Sequence, residues 1–319
     1  MIQLLVSVIV PTHKRFEMFL KCVQSLIGQR FAHDEYEIIA VHDGTDHNYA
    51  DEEIERLKSL FTNFSFHAIT KSGAAGTRNY AIGQARGELV MMTDDDCVAN
   101  PDWIATMVRF LDQHTDVVAV GGQVLAVPPK TFVEGYVKDK SLLRRPVRDI
   151  NGAIVTLVTA NVAYRREVLD QVGWFSDIFA KLQIHSGGED LDLAFRAAKA
   201  GTLAYCEEAI VYHNHRSSVR ALARQHLNYG RGVFVACVNN HIEYRRVKFS
   251  RPTPPNLFRH SWVSFVRIFS VSIPEFWVKR IPLWKWPAYF CLDLLRRNVF
   301  MVGAVYEFYR QRGDKHEIR

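Results

Sequence analysis

The sequence contains little cysteine, and its cysteines are scattered. The five residues are far apart, at Cys22, Cys97, Cys206, Cys237 and Cys291. An odd, scattered set without a C-x-x-C pair supports neither a disulfide framework nor a cysteine-ligated zinc site. It is typical of reduced thiols in an intracellular protein.

Long hydrophobic runs are also absent. Residues 1–5 lack the basic segment of a signal peptide, and near the C-terminus no uncharged stretch reaches the about 18 residues of a membrane-spanning helix. With 48% hydrophobic and 23% charged residues among 319, the composition is that of a globular protein. We therefore expect a cytoplasmic body with neither a cleaved leader nor a transmembrane helix.

Net charge is nearly absent from residues 1–250 and concentrated in residues 251–319. The first segment contains 28 Lys and Arg against 29 Asp and Glu, whereas the second contains 12 against 5 and four of the six Trp. This distribution argues against a protein that binds nucleic acid through an overall basic surface. It predicts a local basic, aromatic surface that meets anionic lipid.

Strand-like apolar segments alternate with helical patterns through the first half of the chain. The predicted strands are residues 4–10, 36–41, 64–70 and 89–93, and the predicted helices are residues 16–27, 51–61, 74–86 and 101–111. Later strands are predicted at 117–127, 154–158, 203–206 and 210–212, later helices at 166–172, 189–200 and 217–238, and a long polar connection at 128–151. This alternation predicts an α/β fold with a mostly parallel, Rossmann-like central sheet flanked by helices.

Polar residues follow three predicted strands, at Pro11-Thr12, Asp43-Gly44 and Asp94-Asp95-Asp96. Ligands bind beyond the carboxyl ends of parallel strands, so these clusters predict a site at one rim of the sheet. Three adjacent carboxylates repel one another, and a divalent cation such as Mg²⁺ or Mn²⁺ would relieve this repulsion and bridge to phosphate oxygens. A solvated acidic turn is the alternative.

Three other segments contribute candidate site residues. In residues 187–190, two glycines precede a helix start whose Asp190 is a candidate general base, the alternative being a helix N-terminus with favourable charges. His213 follows a strand and suits a Mn²⁺ site, the alternative being a surface histidine. In residues 72–79, small residues and Arg78 fit a phosphate, although small residues also serve tight helix–sheet packing.

Taken in order, these segments resemble the inverting nucleotide-sugar glycosyltransferases of family 2, which have the GT-A fold. The resemblance covers residues 4–235 and rests on an ordered set of motifs. The segments are VIVPT (8–12), EIIAVHDGT (37–45), GAAGTRN (73–79), DDD (94–96) with PDW (101–103), TAN (159–161) with RR (165–166) and GWF (173–175), and GEDLDL (188–193). His42 departs from the pattern, because the family often carries an acid there.

The resemblance implies that a sugar passes from a nucleotide-sugar donor, a UDP-sugar, to a hydroxyl of a saccharide or lipid-linked acceptor with inversion. The implied contacts of the donor nucleotide are Pro11, Thr12, Arg15, Asp43, Arg78, Asp94 and Asp95. The implied ligands of a Mn²⁺ or Mg²⁺ cofactor are Asp96, Asp94 and His213. Asp190 would be the catalytic base, and the implied acceptor side is Asn161, Glu189 and Trp174.

The C-terminal segment is expected to be an amphipathic helical tail. Apolar residues recur at helical spacing at Phe258, Trp262, Phe265 and Phe269, and again at Ala288, Leu292, Leu295, Val299, Val302 and Tyr306. The interspersed basic residues are Lys279, Arg280, Lys285, Arg296 and Arg297. We predict a glycosyltransferase domain at 1–250 and a tail at 251–319, whose residues 256–319 lie on the anionic inner face of the membrane. Packing on the catalytic domain, or on a second subunit of a homo-oligomer, is the alternative.

Two other functions stay open at this point. A sugar nucleotidyltransferase uses a related sheet, but a Gly-rich basic loop would then be expected after the first strand, and residues 11–15 contain no glycine. An inactive transferase body that serves as a membrane-binding or nucleic-acid-binding adaptor would be expected to lack site acids, whereas Asp94, Asp96 and Asp190 are all present.

Overall fold

The computed structural model describes residues 4–45, 49, 51–142, 146, 148, 152–184, 187–241 and 272–313. The chain forms two compact units. The sheet unit comprises Met1–Val127, Leu143–Leu182 and Glu189–Asn214, and the helical unit comprises Pro128–Leu142, Gln183–Gly188 and His215–Arg319. The predicted domain boundary at 250/251 lies outside the described residues and stays a prediction.

The sheet unit is built on one sheet, which has eight strands in the described residues. They are β1 (Val6–Thr12), β2 (Tyr36–Asp43), β3 (Phe64–Ile69), β4 (Leu89–Met92), β5 (Cys97–Ala99), β6 (Val117–Ala126), β7 (Val162–Arg165) and β8 (Thr202–His213). The flanking helices are α1 (Phe16–Ile27), α2 (Asp51–Leu60), α3 (Gly73–Gln84), α4 (Trp103–Gln113), α6 (Arg166–Val172), α7 (Ile178–Lys181) and α8 (Glu189–Ala197).

The strand order is β3-β2-β1-β4-β7-β6-β8-β5. Only β7 and β5 run against the other strands, since β7 is antiparallel to β4 and β6, and β5 is antiparallel to β8. The predicted mostly parallel sheet with flanking helices is therefore confirmed. Alternate side chains of β1 supply both core layers, with Val8 and Val10 on the face that α1 covers and Ile9 on the face of α3.

Four sequence-based assignments of secondary structure need correction. First, the short strands β5 and β7 and the one-turn helix α7 were not predicted. The predicted strand at 154–158 is wrong, since only Ile154 forms an isolated bridge. The two strands predicted at 203–206 and 210–212 are one irregular strand, β8, whose register shifts where it pairs with β6.

The fourth correction lies in the helical unit, where the predicted connection at 128–151 contains helix α5 (Phe132–Lys140). Thr131 and Glu134 form a capping box at its start. The other elements of this unit are α9 (Val219–Asn240), α10 (Ile273–Val278), a short 3₁₀ helix (Leu283–Lys285) and α11 (Trp286–Gly313). No helix in the described ranges is long and apolar enough to span a bilayer.

Helix α11 packs along α9, and the predicted apolar stripe is partly buried and partly exposed, with Leu292 buried. Met301, Ala304 and Phe308 are buried, whereas Val302 and Tyr306 of the predicted stripe are exposed. The helix also buries two acids, Asp293 and Glu307, each of which contacts a cation within this unit. Four predicted stripe residues lie outside the described ranges, namely Phe258, Trp262, Phe265 and Phe269.

The crossing of α9 and α11 depends on two glycines. A Cβ at Gly303 would overlap the carbonyl of Leu227, and one at Gly230 would overlap the carbonyl of Phe300. Gly303→Ala should therefore lower the free energy of unfolding by about 1–3 kcal/mol, because a packed backbone must move. Chemical denaturation measures this cost. Gly135→Ala on α5 is the matched control, since its Cβ would meet only the Tyr289 hydroxyl at 3.8 Å; equal stability of the two variants would contradict the prediction.

Candidate active site

The carboxyl ends of β1 and β4 bring a hydroxyl, a guanidinium and two buried carboxylates together. Lys14, with a left-handed φ of 56°, lies between the end of β1 at Thr12 and Arg15, the residue that precedes α1. The guanidinium of Arg15 pairs with Asp95 at 2.6 Å and with Asp96. Thr12 Oγ1 donates to Asp95 Oδ2 at 2.8 Å. Two of the three adjacent aspartates are thus held by one arginine.

Burial dominates the electrostatics of Asp95. Its side chain is fully buried, and burial raises the pKa of Asp95 to about 7 although the Arg15 charge acts in the opposite direction. The neighbouring Asp96 carboxylate raises the pKa further by repulsion. Negative charge is therefore costly at this rim and would be relieved by added positive charge.

Arg78 joins the end of β4 to the start of α8. Its Nη2 lies 2.8 Å from Asp94 Oδ1, and its Nη1 lies 3.4 Å from Glu189 Oε1. The guanidinium also lies over the Phe175 ring, 5.6 Å from the centroid. Because Arg78 is buried, each of these contacts compensates for water that the charge has lost. Glu189 Oε2 is buried and has no hydrogen-bond partner in the described part of the chain.

Asp43 positions the helix that carries Arg78. Its Oδ1 accepts hydrogen bonds from the backbone N–H groups of Ser72 (2.7 Å) and Gly73 (3.1 Å) at the start of α3. A carboxylate at a helix N-terminus satisfies unpaired donors and complements the helix dipole. Asp43 therefore has a structural contact in addition to the nucleobase contact predicted for it.

Asp190 lies in the first turn of α8, beside Glu189. Burial raises the pKa of Asp190 to about 7, and repulsion from Glu189 and Asp94 adds to this, against the Leu191 N–H and the Arg78 charge. The Leu191 N–H donates to Asp190 Oδ1 at 2.8 Å. A carboxylate with a pKa near neutrality is suited to accept a proton, as a general base must.

The end of β8 brings His213 to Asp96. β5 pairs with β8 in a register that sets Cys97 opposite His213, and both the backbone N–H and the side-chain amide of Asn214 donate to the carbonyl of Asp96. His213 Nε2 lies 3.3 Å from Asp96 Oδ1. Ligand atoms of Asp96, Cys97 and His213 lie within 4.8 Å of one another. Asp94, the third predicted metal ligand, is outside this group and pairs with Arg78.

Two of the three predicted acceptor-side residues contact other parts of the protein. Asn161 is fully buried, and its amide bonds to the carbonyls of Gln123 and Ala209 and to the Trp103 indole, so it holds the core together away from any acceptor. The Trp174 indole donates to Asp170. Of the three, only Glu189 contacts Arg78, whose guanidinium bridges Asp94 and Glu189; we call this contact the Arg78 bridge.

Several residues at the rim were missed by the sequence-based prediction. The Tyr49 hydroxyl lies 2.6 Å from Thr12 Oγ1, and since Thr12 donates to Asp95, Tyr49 donates to Thr12. The His42 ring meets Tyr49 edge-on at 5.0 Å and lies 5.6 Å from the His13 ring. His13 directly follows β1, and His42 is the second-last residue of β2 inside the quoted segment 37–45, which was the available signal. Pro11, a predicted donor contact, belongs to β1 next to this group.

Comparison with known proteins gives relatives of one kind. Residues 7–173 match the family model for glycosyl transferase family 2. A glucosyl-dolichyl phosphate glucuronosyltransferase from Haloferax volcanii is 29% identical over 53% of this chain and 55% of its own length. The glycosyltransferase AglE of the same organism is 26% identical over 76% of this chain and 77% of its own length. The chain thus spans about half the length of the first of these relatives.

Solved structures share the fold. The mannosyltransferase PcManGT from Pyrobaculum calidifontis, in complex with GDP-Man and Mn²⁺, superposes with a TM-score of 0.62 at 15% identity, covering 95% of this chain and 86% of its own. S. aureus TarS 1-349, in complex with UDP, has a TM-score of 0.56 at 19% identity, covering 97% and 92%. The predicted GT-A fold is confirmed, and because the family match extends over more than half of its residues, the chain belongs to glycosyl transferase family 2.

Proposed function

We propose that this protein is a metal-dependent, inverting glycosyltransferase that transfers a sugar from a UDP-sugar to a hydroxyl acceptor. The observation that carries the proposal is the Arg78 bridge, which ties Asp94 at the end of β4 to Glu189, the neighbour of Asp190. Groups that can bind a diphosphate and a group that can accept a proton therefore share one rim. TarS has been solved with UDP and with UDP-GlcNAc, which supports the UDP-sugar of this proposal, whereas PcManGT has been solved with GDP-Man.

The donor would bind along the ends of β1 and β4. Arg15 and Arg78 supply positive charge there, and each pairs with a carboxylate. A bound diphosphate would either displace those carboxylates or bind the arginines beside them. The His13 ring lies at the end of β1 and is partly exposed, so it offers a face for a nucleobase, with the buried His42 and Tyr49 rings behind it. We propose that Thr12 and Asp95 support the ribose side of this pocket.

A divalent cation fits the residues at the end of β8. The approach of Asp96 Oδ1 to His213 Nε2 gives an oxygen and a nitrogen donor, a pair that suits Mn²⁺ better than Mg²⁺. Asp96 and His213 would hold the cation. When bound, it would supply Lewis-acid stabilisation of the charge on the departing diphosphate.

In the proposed reaction, Asp190 accepts one proton. Its carboxylate takes the proton from the acceptor hydroxyl as the acceptor oxygen forms a bond to the anomeric carbon. The bond from that carbon to the diphosphate oxygen breaks, and its electron pair leaves with the nucleoside diphosphate. Attack from the face opposite the leaving group inverts the anomeric configuration. We propose a saccharide or lipid-linked saccharide as acceptor, a class to which the name of the Haloferax glucuronosyltransferase points.

A screen of nucleotide sugars with and without Mn²⁺ tests the proposal. One UDP-sugar with Mn²⁺ should raise the apparent free energy of unfolding by about 2.7 kcal/mol at about 100 times its Kd, because only the native state binds it. The same donor should release nucleoside diphosphate on turnover. Release of pyrophosphate would identify a nucleotidyltransferase instead, and the absence of a thermal shift and of turnover with every donor would contradict the proposal.

A further inference from the structure

Four large apolar side chains of the helical unit stand far out in solvent within residues 277–284. Trp277, Val278, Leu283 and Trp284 are 73%, 79%, 69% and 70% exposed. Among the residues that the structure describes, no other large hydrophobic side chain is more than 56% exposed. Single exposed apolar residues are ordinary, but four of them within eight residues of the chain indicate an interaction surface.

Two buried residues, Phe276 and Ile281, attach this segment to the rest of the helical unit. Phe276 is fully buried against Phe290, with the Lys140 ammonium 4.8 Å from its ring centroid. Ile281 is also buried; its N–H donates to the Phe276 carbonyl at 2.9 Å, and its own carbonyl accepts from the Trp286 indole at 2.9 Å. The backbone between α10 and the 3₁₀ helix is therefore fixed, and the outward residues project from a rigid base. A rigid projection loses little conformational entropy when it binds.

Three cations lie within or directly beside the exposed segment, and two of them pair with acids that lie outside it. Residues 276–292 contain Lys279, Arg280 and Lys285 and no Asp or Glu. Lys279 and Lys285 are tied to Glu275 and Asp139, which orients them, whereas the Arg280 side chain is exposed. The Lys285 ammonium lies 5.6 Å from the centroid of the Trp284 ring. Exposed indoles beside cations are the composition that prefers the headgroup region of a bilayer.

We propose that residues 277–284 form a membrane-docking wedge. Its apolar side chains enter the interfacial region of an anionic bilayer while Arg280 and the two lysines contact the headgroups. A second copy of the chain is a poorer occupant, because a self-complementary contact would oppose the same cations across the interface. The proposal goes beyond the proposed function and does not rest on it. Within the predicted lipid surface of 256–319, it singles out residues 277–284, which carry the most exposed large apolar side chains of the described residues.

Flotation of the full-length protein with vesicles tests the wedge. The wild type should bind vesicles of phosphatidylcholine mixed with phosphatidylglycerol, with a blue shift in tryptophan emission, and should bind pure phosphatidylcholine much more weakly. Trp277→Ser with Trp284→Ser should weaken partitioning by about tenfold or more, because two buried indoles are lost. Arg280→Ala should weaken it by about fivefold.

A double variant with two exposed apolar side chains outside the wedge, Leu60→Ser with Tyr309→Ser, is the matched control. Leu60 and Tyr309 are each 55% exposed. This double variant should bind vesicles as tightly as the wild type does. Unchanged melting temperatures and donor binding would show that the variants are folded and would separate this test from the glycosyltransferase assay. Wild-type binding by the tryptophan variant, or equal binding to neutral vesicles, would overturn the proposal. So would a dimer that the tryptophan substitutions dissociate in a protein that ignores vesicles.

Discussion

Replacing Asp190 with Asn should lower kcat by about 10²–10⁴-fold and leave donor binding unchanged. The amide keeps the size of the carboxyl but cannot take a proton from the acceptor, and general-base catalysis contributes about that factor. Steady-state kinetics with a saturating donor, together with the donor Kd from calorimetry, measure the two quantities. Asp177→Asn at the start of α7 makes the same change at another, exposed helix terminus and should alter neither.

The raised pKa of Asp190 predicts how the pH profile of this reaction should look. Only the carboxylate accepts a proton, so kcat should rise with pH through the pKa of about 7 and level off above it. The Asp190→Asn residual rate should lose this inflection. A turnover within a few-fold of the wild type, with donor binding intact, would rule out Asp190 as the base.

The pH dependence of stability should be opposite to that of kcat, because deprotonation of Asp190 lowers the free energy of unfolding. The folded protein raises the pKa of this group above its unfolded value of 3.8, so the native state binds the proton more tightly and is destabilised as pH rises from about 4 through about 7. Above that range Asp190→Asn removes a partly buried charge and should raise the melting temperature by about 2–4 °C. A higher melting temperature together with a lower kcat is expected for a functional group that destabilises the fold. Loss of a structural residue would instead lower the melting temperature.

Local sequence patterns predicted the part of the site that depends on single strands and helices. The alternation of apolar segments placed Thr12, Asp43 and Asp94 at strand ends, and the parallel sheet then brought those ends to one rim. The approach of His213 to Asp96 needed more, because it follows from the pairing of β5 with β8. That pairing joins residues more than a hundred positions apart, and no local period reveals it.

The burial of polar side chains also could not be predicted from the sequence, because it depends on residues that are distant along the chain. The family resemblance implied that Asn161 lies on the acceptor side, but its amide donates to carbonyls of β6 and β8 inside the core. In α11 the pattern of apolar residues did not reveal that Asp293 and Glu307 are buried. Their compensating cations, Lys140 and Arg231, come from α5 and α9, so the sequence of α11 alone cannot indicate that its acids are buried.

Replacing Asp96 with Asn should remove the proposed metal dependence and lower turnover by about 10²–10³-fold. Asp96 presents one oxygen to His213 and pairs with Arg15 through the other, so the substitution weakens a cation site and an arginine contact together. Charge stabilisation on a leaving diphosphate is worth several kcal/mol, at about 1.4 kcal/mol for each tenfold in rate.

The response to Mn²⁺ distinguishes this role of Asp96 from simple destabilisation. In the wild type, chelation by EDTA should abolish turnover, and Mn²⁺ should restore it and raise the melting temperature. In Asp96→Asn neither response to Mn²⁺ should remain. Asp102→Asn, in an exposed pair with Arg30 at 3.2 Å, is the matched control and should respond as the wild type does, since surface ion pairs contribute little. A full Mn²⁺ response in Asp96→Asn would place the cation elsewhere, and EDTA-resistant turnover by the wild type would mean that Arg15 and Arg78 alone neutralise the diphosphate.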